Sequence, residues 1–261
     1  MMRYLFGLLL IDACSAYAQK GSYSLALVDM GIDYKEYGED GTLLDSERLN
    51  TTFGFEVGYE FFLYNTDAQD SSLKFLFSMY DGTTEYVGSY LKDRNGSYGD
   101  VHSTTQNTLY DLSVEYSNIH TMKQFDFMYG LGLGYHAWNR QLSARQEELY
   151  SWFYVAPLVG VGKNFGPWSL GAVVRYKYGI NPTMTANDIS GDFKLSKQDT
   201  LEVDIPISYA YSEDINFLAE FIYARQQIGA SNVVYDGGDR YYEPDSTDHQ
   251  RYLKIGLKFK Y

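Results

Sequence analysis

Hydrophobic and polar residues alternate with a period of two along most of this chain, and that period puts one residue set on each face of an extended strand. The clearest run is 49–61. There Leu49, Thr51, Phe53, Phe55, Val57, Tyr59 and Phe61 share one face, while Asn50, Thr52, Gly54, Glu56, Gly58 and Glu60 share the other. A helix would scatter these residues around its surface, so the period predicts a strand. Comparable runs recur near 22–34, 72–80, 108–117, 124–138, 150–162, 168–180, 200–210 and 214–226, and a last one runs from Leu253 to Tyr261. The connections 63–71, 118–123, 163–167 and 211–213 are short, whereas 35–48, 81–107, 139–149, 181–199 and 227–250 are mostly longer.

Ten strands joined by short turns on one side and long loops on the other predict an all-β, antiparallel up-and-down transmembrane β-barrel. Both termini then lie on the short-turn side, expected to be periplasmic, and the long loops are expected to be extracellular. Eight or twelve strands are the alternatives. Asp81-Gly82 and Asn95-Gly96 are hairpin dipeptides that would give twelve if they turned within the membrane. The polar stretch between them, with Thr83, Thr84, Glu85, Gly88 and Ser89, reads instead as a hairpin extending beyond it. Pro157 and Pro206 fall inside strands, where a missing N–H predicts a bulge or local break. Aromatics bracket the apolar face. Tyr59, Phe61, Phe125, Trp168, Tyr209 and Tyr261 fall near short turns, and Tyr110, Tyr135, Tyr176, Tyr178 and Tyr223 near long loops, as two girdles would. A soluble sandwich would alternate too, but its apolar face would be the enclosed one. Here the polar set mixes glycines with charges of both signs, which suits an enclosed lumen.

The mean hydropathy is −0.34, and beyond the N-terminus no apolar run reaches the roughly 20 residues of a spanning helix. The net charge of −13 excludes a nucleic-acid partner, which needs a basic surface. Residues 1–18 read as a cleaved signal peptide, with Arg3, the apolar core Tyr4 to Ile11 and an Ala16-Tyr17-Ala18 cleavage signal, leaving 19–261 as a single barrel domain. The one cysteine, Cys14, lies in that leader; its acylation as a lipoprotein is the rival reading, which Asp12 disfavours.

From Gln19 to Tyr261 the chain resembles small Gram-negative outer-membrane β-barrel proteins, most specifically in its last strand: Leu253, Ile255, Leu257, Phe259 and a terminal Tyr261. The resemblance implies export, integral residence in the outer membrane, and an assembly signal in Leu257, Phe259 and Tyr261 that is read by the barrel-assembly machinery. The usual last residue is Phe, so Tyr261 is a variant. No activity follows, because one fold hosts many functions.

The lumen phase carries Glu56, Glu60, Lys74, Asp111, Glu115, Asp126, Arg175, Lys177, Glu202, Asp204, Glu220, Lys254 and Lys258. Buried charges must be paired, so these are expected to form a network that plugs a narrow barrel; a proton or ion path is the sharper alternative. The four histidines have no metal-ligand spacing, and neither a metal nor a cofactor is expected. His136 is expected to face the lumen and His120 a solvated turn.

Asp100-Val101-His102 is a weak catalytic candidate, since a carboxylate can orient an imidazole as general base. Omptin-type outer-membrane proteases carry such a pair at the rim, but also a second pair of aspartates, and no D-x-D occurs here. Acids in 35–48 (Glu36, Glu39, Asp40, Asp45, Glu47) and 227–250 (Asp236, Asp239, Glu243, Asp245, Asp248) are expected to be solvated loop charges. The expected role is structural or surface interaction through acidic, Tyr-rich loops. Outer-membrane lipid and lipopolysaccharide are the expected surroundings, and an extracellular protein is a candidate ligand. A narrow solute pore and an omptin-like or lipid-modifying rim enzyme are the alternatives.

Overall fold

The computed structural model describes residues 21–66, 68–88, 98–144 and 146–261, and for 49–51 and 65 the backbone only. The leader and Asn95-Gly96 lie outside them. Ten long strands are present: β1 (Gly21–Tyr37), β2 (Leu43–Asn65), β3 (Gln69–Gly88), β4 (Val101–Thr121), β5 (Asp126–Gln141), β6 (Glu147–Phe165), β7 (Trp168–Ala186), β9 (Gln198–Ala210), β10 (Ile215–Ile228) and β13 (Asp245–Lys260). Three short strands, β8 (Asp192–Lys194), β11 (Val234–Asp236) and β12 (Asp239–Tyr241), sit in the connections. Each long strand pairs antiparallel with the next, and β1 pairs with β13, so the sheet closes on itself. Closure leaves no unpaired edge, which is what a sheet in lipid requires.

The apolar phase faces outward. Leu25, Phe53, Phe55, Leu112, Leu131, Leu133, Val159, Val174, Phe217 and Ile255 are all exposed, an inversion of a soluble barrel. Tyr110, Tyr135, Tyr176, Tyr178 and Tyr223 are exposed toward the long-connection end. At the short-turn end Phe125, Trp168 and Tyr261 are exposed, and Tyr209 packs on Trp168. Tyr59 lies between the rings of Tyr23 and Phe61. Phe61 departs from the expected girdle. It is 2 % exposed, its ring stacked on Phe75 and against Tyr59, so it is covered by neighbours instead of facing lipid.

Both strand prolines produce breaks, and both breaks fall against β7. Pairing of β6 with β7 skips from Val155 to Leu158, and pairing of β9 with β7 skips from Asp204 to Ile207; the register resumes unchanged each time. The missing donor is tolerated as a local gap instead of a bulge. A true bulge occurs higher on β7, between the partners of Ser151 and Phe153, where Asn181 adopts φ 51° next to Pro182.

The loops are shorter than expected because the strands outrun the apolar belt. Asp81-Gly82 is no turn; it lies inside β3, whose ladder with β4 continues to Gly88 opposite Val101. The predicted linker 35–48 shrinks to a turn between Tyr37 and Leu43, and 139–149 to one between Gln141 and Glu147. The largest connection folds back as the β11–β12 hairpin, whose Gly237-Gly238 turn needs positive φ at both positions, 59° and 94°.

Candidate functional site

Inward-facing side chains from nearly every strand meet in three tiers. At the short-turn end the Lys258 Nζ is 2.6 Å from Glu60, bridging β13 and β2 across β1. A cavity of about 320 Å³ opens here, with Lys74, Asp126 and Asn216 among its walls. Lys74 and Asp126, both expected in the charge network, form no ion pair among the described residues; the Asp126 carboxylate accepts from the Asn164 amide at 3.4 Å.

The middle tier holds most of the expected network. Lys254 lies 2.7 Å from Glu56 and 3.2 Å from Glu220. Arg175 reaches from β7 across the lumen to Glu115 on β4 at 2.8 Å and also contacts Glu202. Lys177 is 3.0 Å from Glu202. The Asp111 carboxylate accepts the Tyr154 hydroxyl at 2.7 Å and lies 3.2 Å from His136 Nδ1, and the His136 ring stacks on Trp152. This supports an ordinary hydrogen-bonded histidine. Gly134 makes room for the arrangement, since a Cβ there would collide with the Tyr154 ring. Asp204 is buried but enters no ion pair among the described residues.

Sequence reasoning missed the third tier, which lies beyond the belt toward the long connections. Arg140 stands five residues past the girdle residue Tyr135 on β5, roughly 16 Å of strand at about 3.3 Å per residue. It is 0 % exposed. Its guanidinium donates to Glu47 on β2 at 2.6 and 3.1 Å, to Glu36 on β1 at 3.3 Å and to Glu148 on β6 at 3.1 Å. The Tyr34, Trp138 and Tyr150 rings surround it, with the Tyr34 centroid 4.3 Å away. Tyr150 donates to Glu243, and Trp138 Nε1 to Asn107 at 2.8 Å. Glu36, Glu47, Glu243 and Asp248 were expected to be solvated loop acids. They are buried: Glu36, Glu47 and Asp248 because β1, β2 and β13 carry the inward phase into the predicted loops, and Glu243 because the connection ahead of β13 places it against Tyr150.

One guanidinium cannot neutralise this many carboxylates, so some must hold protons. Burial, opposed by Arg140 and reinforced by Glu36, pushes Glu148 up from 4.5 to about 7. Burial pushes Asp248 up to about 7 as well, and raises Asp45 and Glu243 well above the carboxylate range. Each such acid favours the folded mouth while protonated. For Glu148 and Asp248 that stability is complete below the ordinary carboxyl range and is lost as pH climbs through about 7. Accordingly, acrylamide quenching of Trp138, in a variant with Trp152 and Trp168 changed to Phe, should increase between pH 5 and pH 9. A flat quenching profile would refute the shared-proton account.

The remaining candidates do not converge. Asp100 and His102 are both exposed at the start of β4, where His102 is opposite Val87. His120 is not in a free turn; it ends β4 with its ring stacked on Tyr129 at 5.7 Å. Among the described residues no cluster of His, Cys, Asp or Glu could hold a metal ion.

No protein-family model and no curated protein matches this chain. Solved structures do. The outer-membrane protease OmpT from Escherichia coli aligns at 10 % identity over 94 % of this chain and 97 % of its own, with a TM-score of 0.57. The transport unit of the autotransporter AIDA-I from Escherichia coli aligns at 11 % identity, 92 % and 90 % coverage and TM-score 0.47. Neisserial surface protein A aligns at 10 % identity, 92 % and 97 % coverage and TM-score 0.36. At such identities the likeness is one of fold: this chain has the closed ten-stranded architecture of bacterial outer-membrane β-barrels.

Proposed function

We propose that the chain is an outer-membrane barrel with a sealed, non-conducting lumen and a structural or surface-interaction role, exercised through the rim at its long-connection end. The observation that carries this reading is Arg140, fully buried and tied to Glu36, Glu47 and Glu148 from strands on either side of the lumen. The three carboxylates bound to Arg140 are held as its partners and are not free ligands for a passing ion. Continuing the strands past the belt makes the projecting part a rigid tower instead of a set of mobile loops. Its tip offers Tyr37, Tyr98, Tyr235 and Tyr242 beside acids such as Asp236, and Tyr with small polar residues suits protein recognition. Ten strands also fall far short of the sixteen of open porins.

Purified protein in planar bilayers should show no stable conductance step. A reproducible, long-lived step from the wild-type barrel would overturn the sealed reading in favour of a narrow pore.

A further inference from the structure

A second cavity, of about 430 Å³, lies on the outer wall at the upper edge of the apolar belt, among β10, β13, β1 and β2. A bulge in β2 shapes it. Thr52 is opposite Met30 and Arg48 opposite Asp33, so three residues of β2 span two of β1, and the same extra residue interrupts the register with β3 between Leu49 and Thr51. Bulges bend a strand and re-aim its side chains. Here Gly31 adds no side chain to the gap, and the concavity is walled by Asp29, Asp33, Arg48, His249 and Arg251 over a floor of Phe221 and Leu253.

The depth of the site follows from register. Arg251 is opposite Tyr223, a ring at the upper edge of the belt, and Arg225 is opposite His249 one step further out. Such rings sit at headgroup level, so these guanidiniums do too. Among the described residues none of Arg48, Arg225 and Arg251 has a side-chain hydrogen bond or ion pair, whereas Lys35 is held by Asp33 at 3.4 Å. Three guanidiniums without a partner among the described residues share one sector of a chain whose net charge is −13. Asp29 is exposed although its register partners are Phe53 and Leu253, so a carboxylate stands between two apolar neighbours at the edge of the cavity.

We propose that this cavity binds a phosphorylated glycolipid of the surrounding leaflet. The guanidiniums of Arg48 and Arg251, assisted by Arg225, would take phosphate oxygens, for which the planar fork is suited. The Asp29 and Asp33 carboxylates would accept sugar hydroxyls, and acyl chains would run down over Phe221 and Leu253. Arg251 and Arg48 stand two strands apart, about 10 Å at the usual strand spacing, which suits a headgroup larger than a single phosphate. The proposal rests on the membrane-barrel fold and the depth of the belt, and does not depend on whether the lumen conducts.

The test is a titration of the purified barrel in detergent micelles, read by native mass spectrometry. The probes are a bis-phosphorylated acylated glucosamine disaccharide, its dephosphorylated form, and soluble glucosamine phosphate. The phosphorylated lipid should bind about tenfold or more tightly than the dephosphorylated one, and the soluble sugar phosphate should not displace it. Arg48→Gln with Arg251→Gln should weaken binding about tenfold or more, while Arg240→Gln in the β11–β12 hairpin should leave it unchanged. Neither substituted guanidinium has a partner to lose among the described residues, and heat-modifiable migration checks folding; the two single variants serve if the double one misassembles. Equal affinity for the dephosphorylated lipid, displacement by the soluble sugar phosphate, or undiminished binding by the double variant would each overturn the proposal. A conducting barrel that still binds the lipid would refute the sealed lumen and leave this site standing.

Discussion

Arg140→Ala should open the long-connection end of the barrel and remove about 3–5 kcal/mol of stability, the usual cost of taking one partner from a buried ion pair. The guanidinium is 0 % exposed and its carboxylate partners come from β1, β2 and β6. Without it, Glu47, itself fully buried, would face Glu36 and Glu148 with no cation among them. Those groups must then either take up protons or admit water. At pH 8 water entry should win, because the protons are already scarce. Thermal unfolding in detergent should therefore shift to lower temperature, and bilayers should show conductance steps that the wild-type protein lacks. Adding Glu47→Gln should recover part of the stability, since the remaining charge is smaller. An Arg140→Ala barrel as stable and as silent as the wild type would mean that the tier is ornament and that the seal lies deeper, at Arg175 and Lys254.

The sequence made the membrane part legible and hid the tower. Within the belt, alternation is between apolar and polar residues, so runs such as Phe53, Phe55 and Val57 against Gly54 and Glu56 announce their two faces. Above the belt both faces are polar or aromatic. Tyr34 and Glu36 continue the inward phase of Val28, Met30 and Ile32, yet their outward neighbours Asp33 and Lys35 are no more apolar than they are. The contrast that reveals a strand disappears where the solvent changes from lipid to water. Arg140 and Trp138 were accessible to one further step, because they keep the phase of His136, which was already expected to face the lumen. Extending the phase past the girdle until a turn signal intervened would have placed them inside. The partners of Arg140 lie on strands remote in sequence, and no spacing rule brings Glu36, Glu47 and Glu148 together. The expected pairing of Arg175 and Lys177 with Glu202 needed only adjacent strands; the reach of Arg175 to Glu115 needed the curvature of the closed barrel.

Changing Phe259 and Tyr261 together to Asp should abolish barrel assembly in cells while leaving folding in detergent largely intact. Both residues lie at the seam that closes the cylinder. Phe259 is opposite Tyr23 on β1 and Ile215 on β10. Tyr261 exchanges backbone hydrogen bonds with Gly21 at 3.1 and 3.3 Å, stacks on Tyr23 and places its hydroxyl 2.8 Å from that of Tyr59. The backbone bonds survive the substitution; the ring contacts do not. The lipid penalty is also limited at this depth, about 0–1 kcal/mol for a basic residue near the interface and less for an acid. Lost aromatic packing adds about 0.5–1.5 kcal/mol per ring pair. These costs weaken a barrel but do not forbid it, so the purified variant should still refold and migrate as a heat-modifiable band. Failure in cells would then come from recognition: the terminal strand that resembles an assembly signal would no longer present its aromatic end, and periplasmic, degraded chains should accumulate. A variant that assembles normally in cells would remove Leu257, Phe259 and Tyr261 from any signalling role and leave the seam as packing alone. A variant that fails in detergent as well would assign the whole effect to closure of β1 on β13.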